Sequence, residues 1–375
     1  MKRIVLFGAS GSIGQQSLDI LKGLKDDFEL IAISVGKRNE TISSVVQEFP
    51  TIKKVYSFDI PWKLKREYKS IEFVDNNIES LLDLKPDIVI NAISGIKGLN
   101  ITINSIKKGI TLLNANKESI VVAGNLINNL LQENKKAKLY PLDSEHCAIF
   151  QCIEEENKIK KLVLTASGGP FRDYTLDETK KVTLKDALNH PNWSMGKKIT
   201  IDSATMFNKA LEIIEAYHLF KTKRIDVIVH KESVVHSMVM FEDNSIKAQL
   251  SYPDMRQVIN YFLNYPSRKT YDGQKDLDWE KGFNLSFKRI SASRFIPIEL
   301  AMKCISSKNS KSIALNAANE VCVDMFLNGL ISFYNITLFV KKVFDEVEDI
   351  ELDKIEDIYE FDKRVRNKTK EMIEV

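Results

Sequence analysis

The sequence lacks the features that mark membrane-spanning, disulfide-rich or zinc-binding proteins. No apolar run approaches the roughly 20 residues needed to span a bilayer. The four cysteines, Cys147, Cys152, Cys304 and Cys322, show neither C-x-x-C nor zinc-type spacing. We therefore expect reduced, mostly buried thiols in a cytoplasmic protein.

An excess of one charge is also missing. The 54 Lys and Arg residues nearly balance the 51 Asp and Glu residues, which leaves a formal net charge of +3. Such a small excess gives no reason to expect nucleic-acid or membrane-surface binding. We find no internal repeat or low-complexity linker, and we expect no targeting peptide because the first strand begins almost at Met1.

What the sequence does contain is an alternation of strand-like and helical patterns in its first part. Strands are predicted at residues 2–7, 29–35, 87–92, 110–114 and 137–142, and a first helix at 13–24. This βαβα order predicts an α/β fold, with a Rossmann-like parallel sheet over residues 1–143.

The remainder of the chain has a different texture. Residues 144–264 predict a central α+β domain, with a helix at 203–220 and an antiparallel sheet that begins near residue 228. The strands of this region are predicted at 161–165, 226–229, 237–241 and 246–250. Residues 265–291 read as a linker and residues 292–375 as a C-terminal α-helical domain.

A glycine turn follows the first strand. Residues 8–14 read Gly-Ala-Ser-Gly-Ser-Ile-Gly, which gives the spacing G-x-x-G-x-x-G at the start of the first helix. Small residues let the backbone approach a pyrophosphate, and the helix N-terminus supplies N–H donors. The turn therefore predicts a dinucleotide site, with a plain strand-to-helix turn as the alternative.

The end of the second strand indicates which dinucleotide is bound. NAD enzymes usually place an acidic residue there, whereas this strand is followed by Gly36, Lys37, Arg38 and Asn39. Two cations and an amide suit the 2′-phosphate of NADPH, although Lys37 and Arg38 could be ordinary surface charges. Lys117 follows a later strand and can meet cofactor or substrate; alternatively the segment starts a helix capped by Asn116 or Ser119.

Two carboxylates flank a hydroxyl after the strand at 137–142. In an extended segment, Asp143 and Glu145 point the same way, with Ser144 beside them. Converging oxygen donors suit Mg²⁺ or Mn²⁺, and a solvated turn is the alternative.

The predicted helix at 203–220 carries polar residues on one face. Ser203 is a natural N-cap, and Asn208, Lys209 and Glu212 share a face by their spacing. Lys209 and Ser203 could hold a phosphate while Glu212 reaches the metal. The alternative is a solvated Lys–Glu pair.

Three further segments are candidates. A glycine turn at 165–171 carries Ser167 and can present N–H groups to an anion. The loop at 190–196 holds His190 and Trp193 between Pro and Gly residues, which is typical of a ligand cover, with core packing of the indole as the alternative. At least one of His230 and His236 is expected to be structural.

From these residues alone, the chain reads as a metal-dependent NADPH enzyme acting on a phosphorylated small molecule. Nine motifs between residues 8 and 320 also resemble, in order, the 1-deoxy-D-xylulose 5-phosphate reductoisomerase family. The motifs are GASGSIG, NANKES, LDSEHCAIFQ, SGGPF, HPNWSMG, DSATMFNKALE, HSMV, PDMR and ALNAANE.

The resemblance implies a role for each matching residue. The implied metal ligands are Asp143, Glu145 and Glu212. The implied contacts to the reacting carbons and hydroxyls are Lys117 and Ser144. The implied phosphate contacts are Ser167, Ser203, Asn208 and Lys209, with His190 as a further substrate contact and Trp193 in a lid at about 186–197. The implied NADPH contacts are Ser10, Gly11, Ser12, Ile13, Gly36, Lys37, Asn39, Glu118, Gly196 and Met255, to which the pattern adds Arg38 and Asn116.

The resemblance further implies conversion of 1-deoxy-D-xylulose 5-phosphate to 2-C-methyl-D-erythritol 4-phosphate in a homodimer. The alternatives are an NADPH-dependent reductase of a related branched sugar phosphate and a non-catalytic NADPH-binding protein. Two departures from the family pattern are Ala210, in place of glycine, and Lys97, near the expected cofactor crevice.

Overall fold

A computed structural model describes residues 1–36, 38–189, 193, 195–291 and 294–374. The chain divides into two compact units. Unit 1 comprises Met1–Ser119, Ile127–Asp143 and Asp254–Lys275, and unit 2 comprises Ile120–Leu126, Ser144–Pro253 and Asp276–Val375. These units differ from the predicted domain bounds, because residues 254–275 group with unit 1.

The elements are numbered in chain order. The strands are β1 Lys2–Phe7, β2 Phe28–Val35, β3 Lys54–Ser57, β4 Glu72–Val74, β5 Ile88–Asn91, β6 Thr111–Asn114, β7 Lys138–Pro141, β8 Ile159–Ala166, β9 Ile225–Val229, β10 Val235–Phe241 and β11 Ile246–Leu250. The helices are α1 Ser12–Gly23, α2 Glu40–Glu48, α3 Trp62–Glu67, α4 Leu99–Lys107, α5 Lys117–Glu133, α6 Ser144–Cys152, α7 Leu176–Thr179, α8 Leu184–Ala187, α9 Lys197–Thr205, α10 Phe207–Phe220, α11 Met255–Asn264, α12 Ile296–Cys304, α13 Asn309–Leu327, α14 Phe333–Glu346 and α15 Ile355–Glu374. Two 3₁₀ helices add Ile78–Leu84 and Ile96–Gly98.

Unit 1 is built on a seven-stranded sheet in the order β4-β3-β2-β1-β5-β6-β7. Every strand pair in it is parallel, which confirms the predicted α/β fold. The central strands are apolar along almost their whole length because helices cover both faces of such sheets. The strand order reverses between β1 and β5, so the ligand crevice is expected beyond the carboxyl ends of these two strands.

Unit 2 contains a four-stranded sheet in the order β11-β10-β8-β9. β10 pairs antiparallel with β11, as predicted, and also with β8, whereas β9 lies parallel to β8. The predicted antiparallel sheet is therefore confirmed for β10 and β11, whereas the residues near 228 belong to a strand that pairs in parallel. The long connection from β8 to β9, which contains α7 to α10, lets the chain return to start β9 in the same direction as β8.

The helix predicted at 203–220 is in fact two helices. α9 ends at Thr205, Met206 adopts a left-handed conformation with φ of 74°, and α10 starts at Phe207. Ser203 consequently lies in the last turn of α9 and is not an N-cap. The hydroxyl of Thr205 bonds back to the carbonyl of Ile201, 3.0 Å away, at the point where the helix ends.

The C-terminal part of unit 2 is helical, as predicted, from α12 to α15. α13 is buried on nearly all sides, whereas α15 buries only one face, with Ile358, Phe361 and Val365. The four cysteines are buried free thiols, also as predicted. Within the described part of the chain, no helix combines the length and apolar character needed to cross a membrane.

Candidate active site

The glycine turn after β1 has the geometry of a nucleotide-binding loop. Gly8 has φ of +84°, and a β-carbon there would lie 2.5 Å from the carbonyl oxygen of Ala92. A β-carbon on Gly14 would collide with the carbonyl of Gly8, and one on Gly11 would lie in a tight contact, 3.3 Å from the same carbonyl oxygen. The three glycines thus build the turn, and Gly11, the N-cap residue of α1, has no side chain with which to cap the helix.

The residues expected to bind a dinucleotide surround this turn and the end of β2. Ser10 and Gly11 lie in the turn, and Ser12 and Ile13 begin α1. Past β2, the amide of Asn39 donates to the carbonyl of Asp59 and accepts from the hydroxyl of Ser57. Arg38 is exposed and Lys37 lies outside the described residues. No carboxylate occurs among the described residues at positions 36–39.

Asn116 starts α5, which confirms the helix-cap interpretation of this residue. Its side chain accepts from the backbone N–H of Ser119 at 3.3 Å and donates to the carbonyls of Ile93 and Gly95 at 2.7 and 2.8 Å. It also lies 3.1 Å from the carboxylate of Glu118. Because Asn116 is buried, these bonds fix the loop beyond β5 on the side of the crevice.

Two residues of this network escaped the sequence analysis. Asn91 ends β5 and Asn114 ends β6, and their side-chain amides are 3.2 Å apart in the buried interior. Asn91 also donates to the carbonyl of Gly98 at 3.0 Å. The sequence signal that could have identified them is an asparagine at the end of each of two successive apolar strands.

Lys117 and Asp143 form a buried ion pair at the end of unit 1. The Lys117 Nζ lies 2.7 Å from Asp143 Oδ2, and the side chains are only 11% and 10% exposed. Charges so poorly hydrated are stable only with close partners. The Lys117 ammonium is therefore held beside Asp143.

The carboxylate pair at 143–145 is not in an extended segment, so the predicted alternation is wrong. β7 ends at Pro141 and α6 begins at Ser144, which places Asp143 in a bend and Glu145 in the first helical turn. Because α6 begins at Ser144, the residues from 144 onward are helical rather than extended. Its hydroxyl lies 2.5 Å from Glu145 Oε2.

The polar face of α10 is buried, so the alternative of a solvated Lys–Glu pair is wrong. Lys209 Nζ lies 2.7 Å from Glu145 Oε1 and also bonds to Glu212 Oε2. Asn208 donates to the other oxygen of Glu212 at 2.5 Å. Burial alone would lower the pKa of Lys209, but the two carboxylates raise it above its ordinary value, so the ammonium stays charged.

The arrangement gathers oxygen donors in one place. One oxygen from each of Asp143, Glu145 and Glu212 lies within 4.8 Å of the others. Carboxylate oxygens are the ligands that Mg²⁺ and Mn²⁺ prefer, so the donor chemistry of these three residues fits such an ion. The Nε2 atom of His146 lies 3.0 Å from the backbone carbonyl oxygen of Glu212. The Nδ1 atom of His146 lies 3.2 Å from the carboxylate of Glu215.

Two serines predicted to contact a phosphate lie in adjoining segments of unit 2. Ser167 follows β8, and its Oγ accepts from the N–H of Gly169 at 3.2 Å. A β-carbon on Gly169, which has φ of +64°, would lie 2.8 Å from the carbonyl oxygen of Ser203. The glycine therefore permits the turn after β8 to rest directly on the end of α9.

Family models for known proteins match three stretches of this chain. The 1-deoxy-D-xylulose 5-phosphate reductoisomerase model matches residues 4–124. Two models of the C-terminal domain of this reductoisomerase match residues 139–220 and 250–368. The chain belongs to the 1-deoxy-D-xylulose 5-phosphate reductoisomerase family. The family predicted from the motifs is therefore confirmed.

Individual reductoisomerases are similar over their full length. The proteins from Geobacillus sp. (strain WCH70) and Bacillus cereus (strain AH187) are 42% and 45% identical, each over 100% of both chains. A crystal structure of DOX-P reductoisomerase in complex with NADPH, fosmidomycin and magnesium has a TM-score of 0.93 at 34% identity, covering 100% of this chain and 98% of its own. The Zymomonas mobilis reductoisomerase in complex with NADPH has a TM-score of 0.89 at 35% identity, covering 100% and 99%.

The lid expected in a reductoisomerase is described only in part. His190, Pro191, Asn192 and Ser194 lie outside the described residues. The Trp193 ring centroid lies 6.3 Å from that of His236, in an edge-on arrangement. Gly196 precedes α9 in unit 2, and Met255 is the first residue of α11 in unit 1.

His230 is structural, as expected for at least one of the two histidines. Its Nδ1 lies 2.9 Å from the carbonyl of Ser286, and its Nε2 accepts from the N–H groups of Val234 and Val235 at 3.2 and 3.1 Å. Both ring nitrogens thus serve to hold the turn between β9 and β10 in this reductoisomerase family member.

Proposed function

We propose that the chain catalyses the NADPH- and divalent-metal-dependent conversion of 1-deoxy-D-xylulose 5-phosphate to 2-C-methyl-D-erythritol 4-phosphate. The observation that carries the proposal is the cluster of buried Lys209 and Glu212 with half-buried Glu145 next to Asp143, in a chain of this family. A simple dehydrogenase would have no use for three converging carboxylates. The solved relatives in complex with NADPH and magnesium support the same cofactors.

Asp143, Glu145 and Glu212 would hold the metal. A bound Mg²⁺ or Mn²⁺ would supply Lewis acidity and a template for the substrate's carbonyl and adjacent hydroxyl oxygens. Lys209 holds two of these carboxylates in place, because its ammonium bonds to both Glu145 and Glu212. Asn208 orients Glu212 by bonding to its second oxygen.

Lys117 and Ser144 are the residues proposed to meet the reacting part of the sugar. Lys117 is held by Asp143 at 2.7 Å, so its ammonium can donate to a substrate oxygen without reorganising first. Ser144 is the residue between the two carboxylates and can contact a hydroxyl beside them. Their role would be to stabilise negative charge on oxygen while the carbon–carbon bond is cleaved and remade.

Phosphate binding is assigned to Ser167, Ser203, Asn208 and Lys209, with His190 as a further contact. The phosphate lies away from the reacting carbons, so the energy of binding it can drive closure of the lid. Closure of residues 186–197 would bring Trp193 over the substrate and exclude water from the hydride transfer.

NADPH is assigned to the glycine turn and to the end of β2 in unit 1. The N-terminus of α1, which Gly11 precedes without a capping side chain, can receive a pyrophosphate. The cations at 37 and 38, without an acid beside them, favour a 2′-phosphate over a bare ribose hydroxyl. Glu118, Asn116, Gly196 and Met255 complete the proposed cofactor contacts.

We propose the following role for each part of the chain. Residues 1–143 would bind NADPH, and residues 144–264 would bind metal and substrate. Residues 265–291 would link them to the helical domain at 292–375. We also propose a homodimer in the cytoplasm, without nucleic-acid or membrane partners. Sedimentation of the purified chain tests the dimer.

The proposal is tested by turnover of the purified, metal-loaded chain. Addition of 1-deoxy-D-xylulose 5-phosphate should oxidise NADPH in the presence of Mn²⁺ or Mg²⁺ and yield the branched tetrol phosphate. Metal-independent reduction, or a preference for an unrearranged aldehyde, would instead indicate a simple reductase. NADPH binding without turnover of any phosphosugar would indicate a non-catalytic protein.

A further inference from the structure

Arg294 is a buried cation outside the residues assigned so far. It precedes α12 and is only 7% exposed. Among the residues that the structure describes, it forms no ion pair with a carboxylate, in contrast to Arg366, which lies 2.6 Å from both Asp362 and Glu320. Burial lowers the pKa of Arg294 to about 10, so the guanidinium remains charged at neutral pH.

The guanidinium of Arg294 joins two segments of unit 2. Its Nη1 donates to the carbonyl of Gly168 at 2.9 Å, and its Nη2 donates to the carbonyl of Ala204. Gly168 directly follows Ser167, and Ala204 directly follows Ser203. Arg294 therefore ties together the backbone next to both serines proposed to bind phosphate, at the place where Gly169 lets the two segments touch.

A chain of hydrogen bonds runs from Arg294 to the hydroxyl of Ser167. The carbonyl of Gly168 accepts from the guanidinium, and the N–H of the same peptide group, on Gly169, donates to Ser167 Oγ at 3.2 Å. Hydrogen bonds in series polarise one another, and a charged donor at one end strengthens the effect. With its oxygen already accepting a bond, the Ser167 hydroxyl is a better donor to an anion.

We propose that Arg294 is a positioning residue for the substrate's phosphate: it aligns Ser167 and Ser203 and contributes an uncompensated buried positive charge behind them. The inference rests on the proposed function, because the anion is the phosphate of that substrate. A bound dianion supplies the counter-charge that the described residues around Arg294 do not provide. Arg172 differs, because it also donates to this turn, at 3.3 Å from the Ser167 carbonyl, but lies 3.5 Å from its own carboxylate, Asp173.

The test compares Arg294→Met and Arg294→Lys with Arg366→Met, which removes a half-buried arginine from the ion pairs of the C-terminal helices. Calorimetry with inorganic phosphate gives the dissociation constant of each variant. Steady-state rates with 1-deoxy-D-xylulose 5-phosphate and with phosphate-free 1-deoxy-D-xylulose give KM and kcat.

Arg294→Met should weaken phosphate binding and raise KM for the phosphosugar by about 10-fold or more, the effect of losing a charge-assisted hydrogen bond. The change in kcat, and in kcat/KM for the phosphate-free sugar, should be much smaller. Arg294→Lys should recover part of the affinity, because it keeps the charge but cannot bridge both carbonyls. Arg366→Met should lower the unfolding temperature with unchanged phosphate affinity.

A double-mutant cycle tests the relay itself. Ser167→Ala should cost phosphate affinity in the parent protein and much less in the Arg294→Met background. Additive losses, or equal losses for the two sugars, would overturn the proposal. If Arg294→Met does not fold, unchanged phosphate affinity in Arg294→Lys overturns it equally well. Should the parent protein fail to turn over the phosphosugar, the calorimetric comparison still decides the role of Arg294 in anion binding.

Discussion

At the scale of single residues, the candidate site depends on buried charges that balance one another. Lys209 is 4% exposed and Glu212 is 1% exposed, and each is the closest partner of the other. Removing one member of a buried pair typically costs about 3–5 kcal/mol, because the remaining charge is left without compensation. The spacing of Lys209 and Glu212 in the sequence could not reveal this, since a surface pair has the same spacing.

Glu212→Gln is expected to reduce activity severely while the chain still folds. The amide keeps the size of the side chain but removes a metal ligand and the counter-charge of Lys209. The loss in Mn²⁺ affinity should exceed the about 10- to 100-fold that is typical for an outer-shell partner. Mn²⁺ titration followed by electron paramagnetic resonance measures it. Glu320→Gln, in the ion-pair network of Arg366, is the control and should bind Mn²⁺ normally; equal affinities in the two variants would refute the ligand assignment.

We expect Gly169→Ala to disturb the turn that carries Ser167. The effect should exceed the strain of placing alanine in a left-handed conformation. Both Gly169 and Gly329 have positive φ, at 64° and 75°, but only a β-carbon at Gly169 would meet neighbouring backbone. Gly329→Ala should cost about 1–2 kcal/mol of unfolding free energy, the cost of the left-handed conformation. Gly169→Ala should cost more and also raise KM for the phosphosugar. Equal unfolding free energies from urea denaturation would contradict the close approach to Ser203.

At the scale of elements, two helix boundaries at the site were not predicted from the sequence. They are the break between α9 and α10 and the start of α6. The run Asp-Ser-Ala-Thr-Met-Phe-Asn-Lys has no glycine or proline, so nothing in it predicts the left-handed Met206 that separates α9 from α10. Local propensity also does not show that α6 starts at Ser144, only a short bend after the end of β7. In both places tertiary packing overrides the local pattern, and the polar side chains face inward as a result.

The helix α10 also carries a pH-sensitive residue, His218. Burial, with a smaller contribution from Lys221, lowers the pKa of His218 from 6.5 to about 4. Its ring packs against Gly124 of α5, where a β-carbon could not fit. A lowered histidine pKa means that the unfolded chain takes up the proton first. The contribution of His218 to the free energy of unfolding is complete above pH 6.5 and is lost as the pH falls towards 4.

His218→Asn should therefore flatten the acid side of the stability profile. Between pH 7 and about pH 5, the parent chain should lose about 2 kcal/mol more unfolding free energy than the variant, by proton linkage. Urea denaturation of both proteins across this range measures the difference. Parallel profiles would show that His218 titrates normally in the folded chain.

At the scale of the whole molecule, the sequence predicted the α/β sheet, the C-terminal helices and the family, because long apolar periods and ordered motifs are strong signals. It missed β3 and β4, which are only four and three residues long. It also missed that β9 runs parallel to β8, since strand direction depends on a connection of more than 50 residues rather than on local pattern.

Metal binding should stabilise the folded chain as a whole. At about 100 times the dissociation constant, Mn²⁺ should add about 2.7 kcal/mol to the unfolding free energy, because the unfolded chain does not bring the three carboxylates together. Thermal unfolding with and without Mn²⁺ measures the effect, and Asp143→Asn should reduce it strongly. A stabilisation that survives in Asp143→Asn would place the ion elsewhere.

The central claim, that the buried carboxylates serve metal-dependent turnover of a phosphosugar with NADPH, is tested most directly by one assay. Purified chain is freed of metal, and the absorbance of NADPH is followed after 1-deoxy-D-xylulose 5-phosphate is added, before and after Mn²⁺. We predict no oxidation of NADPH without metal and steady oxidation once Mn²⁺ is present. Oxidation at the same rate in both conditions, or in neither, would contradict the account.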